Sequence, residues 1–293
     1  DPRVREALSW AYDYHWTNEV IYFGEYRRMR SYFQNSDMEH RGPPSPEELE
    51  LLEPFRDTLD PRVFERQYDP PRTSGYGRNR ENLLVGDRLL REAGWIVRDG
   101  ARVNAETGQP FEIEFLLAQP EAGPSVLAHA DSLKRLGIPM KIRSPFTAEY
   151  QRVVSVDREF DLVHTVIWLR LVPGSELRNI FGSRAADREY SRNTGGIKSP
   201  AVDFLIEKVM SARSRAELVT AARALDRVLC WSFYHTNIGN FPSARWAYWN
   251  VFGRPERRPR FSTGFPATWW IDPAKQEMVA SGQPIEVEQA AMH

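Results

Sequence analysis

An α/β fold is predicted by three observations on this sequence. Between Phe111 and Trp168 the apolar residues alternate, then fall at helical spacing, then alternate again. Helix-stop glycines stand at Gly94 and Gly137, directly before the segments that read as strands. The chain has 293 residues and is 41% apolar, enough to bury a sizeable core.

The elements follow in order. Asp1 and Pro2 read as an N-cap and first helical position, and Val4, Leu8, Ala11 and Tyr12 share one face. A loop rich in Arg, Ser and aromatics runs from Tyr26 to Pro44. Ser45-Pro46-Glu47-Glu48 is a capping box that opens a helix through Leu49, Leu52 and Phe55. Gln67 to Arg80 reads as a long loop, and Asn79 as the cap of a helix through Leu83, Leu84, Leu90 and Ala93. Trp95 to Val103 is a hairpin turning at Asp99-Gly100.

Phe111, Ile113, Phe115 and Leu117 then alternate with Glu112 and Glu114 as a strand. Val126 to Leu136 is a helix, and Ile138, Met140 and Ile142 are a strand. Thr147 caps a short helix, and Asp161 to Trp168 is an apolar, β-branched strand. Strand, helix, strand, helix, strand at this spacing predicts βαβ crossovers, one shared parallel sheet and an α/β lobe from Asn79 to Ser183. Two helices follow Ser199-Pro200, the second opened by a capping box from Ser214 to Glu217. Trp231 to Trp249 is aromatic and strand-like. The tail beyond Pro273 lacks periodicity and is expected to lie over the surface. The predicted division is 1–78 as a helical and loop segment, 79–200 as the lobe, 201–272 as returning helices and strands, and 273–293 as the tail.

Composition excludes several functions. There are 39 basic and 40 acidic residues, so no basic field points to nucleic acid. The Arg-rich run Arg254–Arg260 is broken by Pro255 and Pro259 and reads as a solvated turn. No apolar run approaches the roughly 18 residues a bilayer span needs. Cys230, the single cysteine, lies in the apolar pattern of Leu225, Val228 and Leu229 and reads as a buried, inert thiol. The six histidines lack metal-ligand spacing, and His164, on its strand, reads as a packed or solvated residue ahead of a ligand contact. There is no phosphate loop and no metalloprotease or serine-hydrolase motif. Neither a metal nor another cofactor is expected. What stands out is nine Trp and eleven Tyr, side chains suited to a wet binding cleft or to a core.

Specific residues carry a resemblance. Asp1-Pro2-Arg3-Val4-Arg5-Glu6-Ala7-Leu8, with Ala11-Tyr12-Asp13, resembles the opening helix of a segment of family 5 extracellular solute-binding proteins. Leu89-Leu90-Arg91-Glu92-Ala93-Gly94-Trp95 looks like a second motif of that family. Arg30 to Ser36, Pro44 to Leu49, Leu52 to Arg56, Asn79 to Leu83, Ser191-Arg192-Asn193, Gly196-Ile197-Lys198, Ala224 to Leu229 and Ala247-Tyr248-Trp249 are similar to its YejA-like branch.

The resemblance implies a type II periplasmic binding fold, two α/β lobes that close on a ligand. The chain would be the C-terminal portion, holding the distal lobe and the return segment into the first. It also implies a substrate-binding component of an ABC importer. Such a component binds peptides or peptide-like solutes in the periplasm, meets an inner-membrane ABC permease, and acts as a monomer when full-length, not as an enzyme. The rival expectations are an α/β hydrolase-like enzyme and a peptide sensor or chaperone outside transport.

In oligopeptide binders the loop after the last of these strands carries an Asp for the peptide amine. Here the loop reads Trp168 to Glu176, Ile167 stands where the branch has Gly, and the nearest carboxylate is Glu176. The expected ligand contacts are therefore Trp168 as an apolar wall, Arg170 for an anionic group and Glu176 for a cation. His235, Asn237 and Trp246 are expected from the aromatic return segment.

Overall fold

The computed structural model describes residues 1–77, 79–118, 122–170, 172–236, 239–242, 247–257, 259 and 264–282. The chain divides into two compact units, Asp1–Asn240 and Phe241–His293. In the first, helices α1 (Pro2–Ala11), α2 (Tyr14–Trp16), α3 (Pro46–Leu52) and α4 (Arg80–Glu92) precede the hairpin β1 (Trp95–Arg98) and β2 (Ala101–Asn104). Then come β3 (Ile113–Leu116), α5 (Gly123–Arg135), β4 (Met140–Arg143), α6 (Thr147–Arg152) and β5 (Leu162–Val163). Helices α7 (Glu176–Ile180), α8 (Ser183–Ala186), α9 (Pro200–Ser211) and α10 (Arg215–Trp231) complete it.

The predicted sheet is present. Its order is β4-β3-β5, and both pairings are parallel. Ile113 to Leu116 lie beside Met140 to Arg143, and Phe115 and Leu116 beside Leu162 and Val163. Parallel pairing requires crossovers, and α5 and α6 supply them. The last strand is shorter than predicted: of Asp161–Trp168 only Leu162 and Val163 pair. Beyond them no strand pairing is made among the described residues, and His164 instead accepts a bond at its carbonyl from the Tyr150 hydroxyl. The hairpin turns where expected, with Asp99 and Gly100 both at positive φ, 51° and 82°, the pair a type I′ turn demands.

Caps formed, but several side chains went elsewhere. Asp1 accepts from the Arg3 N–H, and Ser45 from the Glu48 N–H. The Glu48 carboxylate does not return to its own helix and pairs with Arg227 at 2.6 Å. Asn79 sits at the N-cap of α4 but donates to the Trp10 and Ala11 carbonyls at the end of α1, stapling the two helices. Thr147 is the first helical residue of α6, and Phe146 holds the cap position.

The two largest of four apolar clusters among the described residues carry the first unit. The larger gathers α9 and α10 with Tyr32, Phe33, Met38, Phe181 and Ile197. The second joins α1, α4 and α5 to β3 through Ala7, Leu90, Leu133 and Ile113. Trp231 to Trp249, expected as strand-like, is not a strand in its described residues. Trp231 ends α10, and only Asn240 makes a β-bridge, to Arg27. The apolar stripe of α10 runs on through Trp231 into Phe233, and both rings pack edge-on against Tyr68.

In the second unit, β6 (Phe252–Gly253) and β7 (Trp270–Ile271) pair antiparallel, and α11 (Pro273–Ala280) follows. The predicted tail without periodicity therefore begins as a helix. Asp272 caps it by accepting from the Ala274 and Lys275 N–H groups. None of its residues is buried, which is why no hydrophobic period marks it.

His129 on α5 makes the second core sensitive to pH. Desolvation lowers its pKa to about 4, and its Nε2–H donates to the Leu8 carbonyl at 3.2 Å. A folded-state pKa below the unfolded value means the unfolded chain takes up the proton first. Stability is thus full above about pH 6.5 and falls toward pH 4, by about 1.4 kcal/mol per pH unit from this one group. Urea unfolding of the wild type and of His129→Gln at pH 7.5, 6 and 5 checks this. Parallel pH profiles for the two proteins would remove His129 as the source.

Candidate functional site

The parallel sheet sets where a ligand surface lies. All three strands point the same way, so the loops after β4 and β5 share the carboxyl edge. Ligands of open α/β sheets bind at that edge. Here the loops present apolar side chains to solvent: Phe146 after β4 is 90% exposed, and Trp168 after β5 is 75% exposed, with Val166 and Val172 also open. Burying such rings stabilises by about 25 cal/mol per Å², so an edge that leaves them in water is poised to take an apolar partner. Trp168 was expected at this place. Phe146 was not, although a Phe between Pro145 and Thr147 directly after a strand was the signal available.

Arg170 is exposed in the same loop and makes no hydrogen bond or ion pair among the described residues. Glu176 opens α7, and its carboxylate accepts from the Gly174 N–H at 3.2 Å, so it braces its own loop. Val172 and Pro173 line one side of a groove of about 630 Å³ whose other side is Val209, Met210 and Leu218. Trp168, Arg170 and Glu176 are not among the groove's lining residues.

His235 stands apart from that loop. Its Nδ1 lies 2.8 Å from the Tyr32 hydroxyl, and desolvation lowers its pKa to about 4. Burial drives the Tyr32 hydroxyl the other way, far above its ordinary value. Tyr32 therefore donates and neutral His235 accepts, which fixes the segment after α10 onto the larger core. Asn237 and Trp246 lie outside the described residues.

One cluster has the make-up of a metal site. Ligand atoms of His40, Asp226 and Cys230 lie within 4.8 Å of one another. Their lone pairs are already committed. His40 Nε2 accepts from the Tyr68 N–H, so Nδ1 carries the hydrogen and donates to Asp226 at 2.5 Å. Asp226 also accepts from the Tyr32 and His40 N–H groups. Burial raises the Cys230 pKa well above its ordinary value, which keeps it a thiol and a poor ligand. The cluster is a hydrogen-bonded pin that ties the loop Arg30–His40 to α10.

A parallel sheet flanked by crossover helices, with apolar side chains open at its carboxyl edge, defines an α/β fold whose edge is the usual place for a ligand. Comparison with known families makes that class specific. Residues 1–187 match the model described as bacterial extracellular solute-binding proteins, family 5, middle part, and the chain belongs to that family. The probable peptide-binding protein YejA of Agrobacterium fabrum is 38% identical over 274 residues, 92% of this chain and 44% of that protein. The uncharacterized protein YejA of Escherichia coli is 38% identical over 282 residues, covering 96% and 46%. The chain thus spans a little under half the length of these relatives. Among solved structures, the oligopeptide-binding protein AppA of Bacillus subtilis, in complex with a nonapeptide, superposes with a TM-score of 0.66 at 16% identity. That match covers 93% of this chain and 48% of AppA, and the shared fold is the type II periplasmic binding fold. No helix among the described residues is long and apolar enough to cross a membrane.

Proposed function

We propose that the chain is part of the substrate-binding component of an ABC importer and takes peptides or peptide-like solutes in the periplasm. The observation that carries this reading is the exposed apolar edge of the parallel sheet, Phe146, Val166 and Trp168 on the loops after β4 and β5. Family membership and the name of the Agrobacterium fabrum relative support it. In this reading residues 79–200 form the distal lobe, and residues 201–272 return toward the other. The protein acts as a monomer that closes on its ligand and then meets an inner-membrane permease. Binding needs no covalent step, so neither nucleophile nor cofactor is called on. Affinity comes from aromatic surface, backbone hydrogen bonds and one or two charge anchors.

Trp168 is the proposed apolar wall, with Arg170 and Glu176 flanking it as charge anchors. Titration calorimetry of the full-length protein with a peptide pool, then with single peptides, tests this. Trp168→Ala and Glu176→Gln are each expected to weaken binding by roughly tenfold or more. The exposed control Arg98→Gln is expected to bind as the wild type does. Unchanged affinity in both variants would take this loop out of the site, and no heat with any peptide would sink the reading itself.

A further inference from the structure

A second surface of the first unit holds a buried cation with no ion-pair partner among the described residues. Arg28 follows the short helical turn after α2, and its guanidinium lies 4.6 Å above the Tyr14 ring. Its Nε and Nη1 are buried without a hydrogen-bond partner among the described residues. No carboxylate forms an ion pair with it there. The nearby acid Asp13 accepts at Oδ1 from the Trp16 N–H and the Thr73 hydroxyl, while its Oδ2 is buried without a hydrogen-bond partner among the described residues. Desolvation lowers the Arg28 pKa, with the Coulombic pull of Tyr68, Tyr12, Tyr14 and Asp13 opposing it. Leaving a buried charged donor unpaired is costly, and proteins keep such groups mainly where something else completes them.

The surroundings of Arg28 are rich in cations. Arg28 lines a pocket of about 380 Å³ together with Arg30, Arg41, Arg72 and His15. The acids of the pocket are Glu39 and Asp69. Glu39 is shared between Arg30 at 2.9 Å and Arg41 at 3.3 Å, and Asp69 among the described residues pairs with its neighbour Arg72, at 3.5 Å. Four guanidiniums against the two lining carboxylates leave the pocket positive, even with Asp13 behind Arg28 counted. His15 Nδ1 accepts from the Thr73 N–H at 3.1 Å, which leaves Nε2–H as a further donor.

We propose that Arg28 anchors an anion-binding subsite in this pocket, one that takes a carboxylate or phosphate group of the bound solute. Converging donors in a desolvated pocket suit a charge-assisted contact. The identity of that solute as a peptide rests on the function proposed above, whereas the anion site does not.

The test uses the full-length protein and two kinds of probe. The tightest-binding member of a tetrapeptide library is titrated as free acid and as C-terminal amide. Separately, melting temperature is followed with inorganic phosphate and with succinate, each against chloride at equal ionic strength. For a carboxylate site the free acid binds at least roughly tenfold tighter than the amide. That gap closes in Arg28→Met and persists in Arg27→Met. For a phosphate site the acid and amide are equal, and phosphate raises the melting temperature of the wild type but not of Arg28→Met. If no peptide binds but either anion stabilises the wild type alone, the subsite stands and the peptide reading falls. Equal affinity of acid and amide in the wild type, with no shift from either anion, overturns the subsite without recourse to a variant. Peptide binding in that case leaves the transport reading intact.

Discussion

Arg227→Met is expected to destabilise the protein by about 3–5 kcal/mol, because it leaves a buried carboxylate without its partner. Arg227 is fully buried on α10, and Glu48 on α3 is 4% exposed. Their contact is 2.6 Å, and Arg227 also donates to the Gly42 carbonyl at 3.0 Å. The guanidinium therefore joins α10, α3 and the loop between Glu39 and Ser45 in one network. The double variant Arg227→Met with Glu48→Leu removes both charges and is expected to recover most of the loss. Urea unfolding of the two single variants and the double variant measures the coupling. A single-variant cost below about 1 kcal/mol, or a double variant as unstable as the sum of the singles, would show that the pair contributes little.

Arg102→Leu is expected to cost about 3 kcal/mol and to loosen the β1–β2 hairpin before the rest of the fold. Arg102 is 1% exposed although it lies on a two-stranded hairpin. Its Nε donates to the Leu136 carbonyl at 2.9 Å, Nη1 to the Trp95 carbonyl at 3.2 Å and Nη2 to Asp87 at 2.6 Å. One side chain thus joins the end of α5, the start of β1 and the middle of α4. Leu restores bulk but orphans two carbonyls and strips Asp87 of one of its two arginines. Hydrogen exchange at the Ile96 to Asn104 amides should rise more than at α10. Exchange that rises equally everywhere would mean that Arg102 acts on global stability and not on the hairpin. Arg98→Gln, on the exposed strand, is expected to stay within about 0.5 kcal/mol of the wild type.

The parallel sheet was legible because its signals are local. Alternation at Ile113 to Leu117 and at Ile138 to Ile142 shows which residues face inward, and Gly94 and Gly137 end the helices before their strands. Asp99-Gly100 specified its turn for the same reason, since few residues tolerate two successive positive φ angles. The length of β5 was not legible. Val163 to Trp168 has the composition of a strand, but a strand also needs a neighbour, and β3 accompanies it only as far as Val163. Likewise Trp231 to Trp249 has strand-like composition, yet among its described residues only Asn240 pairs, in a single bridge to Arg27. Of the expected ligand contacts, Trp168 and Arg170 lie open at the carboxyl edge, Glu176 braces its own loop and His235 is held by Tyr32.

By itself the sequence determined the order of elements from α4 to β4, the caps at Asp1 and Ser45, the Asp99-Gly100 turn, the α/β class and, through its motifs, the family. These depend on contacts within a few residues and on conformations that Gly, Pro, Ser and Asp impose on their own backbone. Tertiary structure decided which charged groups are buried and with whom. Glu48 left its capping box for Arg227, 179 residues away, and Asp226 took up His40, 186 residues away. Arg28 stayed unpaired at the wall of a positive pocket. A guanidinium looks the same in the sequence whether it is solvated, paired or waiting for an anion. Only the surrounding packing sets the desolvation it suffers and the partners within its reach, and those two quantities decide what it does.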